Sequence, residues 1–185
     1  SSDVCSSDLL GQRVGASELE RWIAHLEGLC ASLADGLGQA RAEIGEGVDL
    51  ATSAGADFDR YAQSAVAATA RLAEQYPVLD RPFYSEPKPV LASGLMSDAG
   101  IAGMFFPFTM ESNINDDIPL FTLPSTMAHE LAHQCGFMRE DEANFIGYLA
   151  CRKSDSPEFR YSGVMLALVH AENRLYAADR ELFFQ

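Results

Sequence analysis

The chain has 185 residues, 48% of them apolar, enough for one domain with a real core and too apolar for a disordered segment. A formal net charge of −14 argues against charge-driven binding to nucleic acid or to an anionic membrane surface. No segment is long and apolar enough to cross a bilayer; the run at 163–169 is far too short.

In chain order, residues 1–10 (SSDVCSSDLL) are polar, of low complexity and carry no readable secretory signal. They read as a non-native or disordered leader, and the closing Phe-Phe-Gln as a similar remnant, which leaves 11–182 as a single domain. Ser17 opens a helix, with Ser17 and Glu20 spaced as a capping box. Leu19, Trp22, Ile23, Leu26, Leu29, Cys30 and Leu33 then recur at helical spacing, to about residue 42. Trp22 is expected as a core or interface anchor and His25 as a surface residue. Residues 45–56 read as a loop. Asp57 is placed to cap a second helix to about Gln75, with Phe58, Tyr61, Ala65, Ala68 and Leu72 on one face and Pro77 ending it. Both helices are expected to be scaffold, packed on a sheet or on each other.

From 80 to 124, proline and glycine punctuate short β-prone runs, with strand candidates at 88–93, 103–108 and 111–115. Leu123-Pro124-Ser125 opens the next helix, to about residue 135. Gly136 turns the chain. Residues 140–152 form a helix with Phe145, Leu149 and Ala150 toward the core. Ser156-Pro157-Glu158 starts a last long helix to about 179, carrying Phe159, Val164, Leu166, Leu168, Val169 and Leu175. The expected fold class is α+β: a mainly helical domain with a small sheet.

The chemistry concentrates at His129-Glu130-Leu131-Ala132-His133. Histidines four apart on a helix share one face, close enough for both imidazoles to hold one metal ion. Glu130 sits beside that ion, where it can take a proton from a water the metal activates. This is the HExxH arrangement of zinc hydrolases, with the glutamate as general base. Met127, Leu131 and Gln134 fall away from the histidines, and Gly136 can take the left-handed conformation that ends the helix. The competing reading is a helix with two structural histidines and a surface glutamate.

Catalytic zinc usually keeps three protein ligands. Gly136 lies where the HExxHxxGxxH pattern has its glycine, but Arg139 stands in place of that pattern's third histidine and cannot bind zinc. The usable groups are Glu140, Asp141 and Glu142, any of which can instead be a carboxylate favoured at a helix N-terminus. Glu-x-x-Ala-Asn at 140–144 resembles the segment of glutamate-type zincins whose first residue binds zinc and whose last orients a histidine. That resemblance makes Glu140 the expected third ligand, Asn144 its support and Glu142 the alternate. In zincins a strand near this helix borders the cleft, and an extended peptide can pair with it. The candidate border is 103–115, where Glu111, Asn113 and Asn115 either bind polar groups of the substrate or form a polar hairpin.

Phe106-Pro107-Phe108, Glu111, Asn115, Leu123-Pro124, HELAHQ with Gly136-Phe137, EDEANF and Ser154-x-x-Pro157-Glu158-Phe159-Arg160-Tyr161-Ser162-Gly163, within 103–176, resemble a bacterial family of unknown function. Its members are membrane-anchored, zincin-like proteins. The resemblance implies a gluzincin-like catalytic domain and, because family members carry transmembrane helices before it, a fragment of a longer membrane-anchored protein. It supplies no substrate.

The resulting expectation is a zinc metallopeptidase: Zn2+ on His129, His133 and Glu140, Glu130 as general base, and a peptide or protein as substrate. The alternatives are a catalytically inactive zincin-like binding or structural domain, and a zinc amidase acting on a non-protein amide. Tyr161, Arg160 and His170 are candidates to stabilise the oxyanion, each more readily structural. Cysteines 5, 30, 135 and 151 form no CxxC pair and imply neither a disulfide framework nor a cysteine zinc site. Any membrane contact is expected through segments absent from this chain, and no sequence feature sets the oligomeric state.

Overall fold

The computed structural model describes residues 16–90, 103–106 and 111–178. Five α-helices and three short strands form the main elements of these segments, with short 3-10 turns at Gly55–Asp57 and Pro77–Leu79. The helices and strands are α1 (Ala16–Ile44), α2 (Phe58–Gln75), β1 (Lys88–Pro89), β2 (Gly103–Phe106), β3 (Glu111–Ile114), α3 (Leu123–Gln134), α4 (Glu140–Lys153) and α5 (Pro157–Ala178). The architecture is α+β, mainly helical with a small sheet.

The centre of the molecule is α3. Leu123, Met127, Ala128, Leu131 and Ala132 are fully buried, and Glu130, His133 and Gln134 are also buried. Only Thr126 and His129 remain partly exposed, so the helix meets solvent along one narrow stripe. Helix α2 packs on α3 and α4 through Phe58, Tyr61, Ala65, Ala68 and Leu72, the face that the apolar spacing predicts. Tyr61 stacks on Phe159 of α5, with centroids 6.2 Å apart. This shared core spans α2, α3, α4 and the start of α5.

Helix α1 does not pack on α2 or on the sheet as expected. It runs antiparallel along α5, with Leu33, Cys30 and Leu37 against Val164, Ala167, Leu168 and Ala171, and an Arg160–Glu43 ion pair closes one end. Trp22 is 61% exposed and is no core anchor, because among the described residues α1 packs mainly on α5. Phe145, expected in the core, is also 61% exposed: α4 buries Ala143, Ile146, Gly147, Ala150 and Cys151 instead. The α1 helix is already formed at Ala16, so Ser17 lies within it and does not precede it as a cap. Asp57 precedes α2 but makes no side-chain cap.

The strand order is β1-β3-β2, with β3 parallel to β1 and antiparallel to β2. Of the expected first strand, Lys88–Pro89 forms β1, followed by a hydrogen bond from Val90 N to Ile114 O; positions 91–93 lie outside the described residues, as do 1–10, 107–108 and the closing Phe-Phe-Gln. Gln134 ties the sheet to α3. Its amide donates to Ser85 O (2.9 Å) and Ser112 Oγ (2.8 Å) and accepts from Ser85 N (3.0 Å).

Candidate metal centre

The first turn of α3 must satisfy backbone donors that have no partner within the helix. Thr122 supplies no side-chain cap. Ser162 of α5 does so from outside the helix: its Oγ accepts from Ser125 N (3.0 Å) and donates to Ser125 Oγ (2.9 Å). The other end closes in a Schellman turn. Gly136 takes φ +91°, Gly136 N donates to His133 O (2.9 Å) and Phe137 N to Ala132 O (3.2 Å). The turn swings the Phe137 carbonyl back over the helix, where it accepts from His133 Nδ1 (2.7 Å).

His129 is oriented from a different direction. Its Nδ1 donates to Oδ1 of Asn144 on α4 (2.8 Å). Both imidazoles therefore spend Nδ1 on the protein and turn Nε2 toward Glu140, the tautomer a metal ligand needs. His129 Nε2 lies 3.3 Å from Glu140 Oε2, and His133 Nε2 lies 3.6 Å from Glu140 Oε1. The rings stand edge to face with centroids 4.6 Å apart. The three ligand atoms fall within 4.8 Å of one another, and the His129/His133/Glu140 group can hold a metal ion.

Of the three candidate acids, only Glu140 joins the imidazoles. Asp141 is held by Arg139 (2.7 and 3.1 Å) and accepts from Glu142 N (3.1 Å). Glu142 is exposed and outside the group. Cys135 is buried, with Sγ 3.5 Å from Leu79 O, and is likewise no member.

Glu130 is buried, and its Oε2 has no hydrogen-bond partner among the described residues. An unpaired buried carboxylate is costly, so burial, with the Glu140 carboxylate adding to it, pushes the Glu130 carboxyl up to about 7. Burial also lowers His129, helped by the His133 imidazole and opposed by Glu140. It is thereby favoured in the neutral form that ligates metal.

Arg160 is committed to structure: besides Glu43 it donates to Ser154 O and Asp155 O, both at 3.0 Å. Tyr161 is partly buried against the core. His170 is exposed on α5, near enough for its charge to bear on His129. On the strand side, Asn115 is buried and its Oδ1 accepts from Asp117 N (3.0 Å) in a turn, so its place is structural. Sequence reasoning missed the Phe137 carbonyl and the Ser162 cap. The only available signal for either was Gly136, which marks a left-handed turn but not what the turn delivers.

Residues 9–185 match the model of a family described as Protein of unknown function (DUF3810). The chain belongs to this family. Its description assigns no activity, which agrees with the resemblance to a family of unknown function and leaves the chemistry to be argued from the site. No curated protein and no solved structure matches the chain.

Proposed function

We propose that this protein is a zinc-dependent hydrolase that cleaves peptide bonds, with His129, His133 and Glu140 as metal ligands and Glu130 as general base. One observation carries the reading. Two imidazole nitrogens converge on one carboxylate, while the buried carboxylate next to His129 in the chain has an oxygen without a hydrogen-bond partner among the described residues. A purely structural cluster has no use for that fourth group. Two imidazoles and a carboxylate suit zinc, and three protein ligands match the catalytic class of zinc site.

Zinc held there would polarise the scissile carbonyl and acidify a water. The remaining work falls to the chain. Asn144 and the Phe137 carbonyl hold the imidazoles in register. Glu130 takes the proton of the attacking water as its oxygen bonds to the carbonyl carbon, then delivers it to the amine nitrogen as the C–N bond breaks.

The sheet supports a peptide substrate. Strand β3 is paired on both sides at Asn113 and Ile114, so the edge that could take another chain is that of β2, while Glu111 and Asn113 stay candidates to bind polar groups of the substrate. Among the described residues β2 pairs only with β3, and it packs beside α3, where an extended peptide can add to its outer edge. No helix among the described residues is long and apolar enough to cross a membrane, so the anchoring implied by the family resemblance would rest on other segments.

The test is hydrolysis of a peptide library by zinc-loaded protein, with Glu130→Gln as the blank. Cleavage by the wild type, loss of at least a hundredfold in Glu130→Gln and reversible inhibition by chelator are expected. Equal cleavage by Glu130→Gln would contradict the mechanism.

A further inference from the structure

Glu140, Asn144 and Gly147 lie at i, i+4 and i+7 on α4, one stripe facing α3. At Gly147 the backbones of the two helices approach closely. A Cβ there would lie 3.1 Å from His129 N, 3.3 Å from His129 Cα and 3.5 Å from Ser125 O. These atoms are backbone, so they cannot swing aside as a side-chain tip would. A side chain at 147 must move one helix by a few tenths of an ångström. The backbone it presses on belongs to a candidate ligand. Metal–ligand distances tolerate only about 0.2 Å, so a displacement of that size is felt at the ion.

We propose that Gly147 is a positioning residue: its missing side chain sets the α3–α4 spacing at which Glu140 and Asn144 reach the histidines, and thereby sets the affinity of the centre for its ion. The inference rests on the metal-centre reading above. Gly147 itself touches neither metal nor substrate.

The experiment compares wild type and Gly147→Ala, stripped of metal and titrated with zinc against a competing chelator, then with cobalt(II) to record its visible absorption. Circular dichroism of each protein at saturating zinc reports the fold. The expected result is a folded Gly147→Ala with native-like circular dichroism, zinc affinity weakened roughly ten- to hundredfold and an altered cobalt spectrum. A folded variant with wild-type affinity and spectrum overturns the proposal. So does a variant that stays unfolded at saturating zinc, since the glycine would then serve the fold and not the centre. A wild type that binds no zinc overturns instead the reading on which the proposal rests, and the titration separates the two failures.

Discussion

Glu130 shows what one buried residue costs and supplies. Its carboxyl is raised from 4.5 to about 7, chiefly by burial. A group raised in the folded state favours folding only while it can stay protonated. In the metal-free protein its contribution is intact below about pH 4.5 and is lost as the pH rises through about 7. The loss approaches ~3 kcal/mol. Metal-free Glu130→Gln should therefore match the wild type in stability near pH 4 and exceed it by up to that amount at pH 8, as urea melts would show. His129 shifts in the opposite sense, so the difference between the two proteins is the readout, not the wild-type curve alone. A difference independent of pH would contradict this account of Glu130. Spacing alone made His129, Glu130 and His133 legible, because a helix of 3.6 residues per turn fixes which side chains meet. Glu140 was legible only by resemblance, since three adjacent acids look alike in sequence. The Phe137 carbonyl was not legible, because a backbone acceptor leaves no residue-type signature.

At the scale of elements, the C-terminal turn of α3 is as much part of the site as the imidazoles. Gly136 at φ +91° makes possible the turn that places the Phe137 carbonyl on His133. Gly136→Ala forces a Cβ into the left-handed region at a cost of about 1–2 kcal/mol. It should lower the melting midpoint and weaken zinc binding together. A lower midpoint with unchanged zinc affinity would show that the turn does not orient His133. The helices themselves were largely readable: α2, α3, α4 and α5 fall within a residue or two of where caps, prolines and apolar spacing put them. Their partners were not. Periodicity marks the apolar face of α1 but carries no information that α5, over a hundred residues later, would cover it. Trp22 and Phe145 were misplaced for the same reason. The tight α3–α4 approach at Gly147 also escaped notice, because a glycine within a helix reads as a weak point until its neighbour is known.

Around α3, the described residues of α2, α4, α5 and β3 pack through an apolar core that includes none of the three candidate ligands. Chelation should accordingly leave the circular dichroism of the folded protein intact and lower its melting midpoint only by what ion binding contributes through mass action. Unfolding on chelation would favour a structural staple, in which ion binding and folding are one event. The central claim is that His129, His133 and Glu140 form a metal centre. Elemental analysis of purified, zinc-reconstituted wild type beside His133→Ala tests it most directly. About one zinc per wild-type chain, and none in a folded His133→Ala, is the predicted result. No metal in the folded wild type, or the same metal content in both proteins, would contradict it.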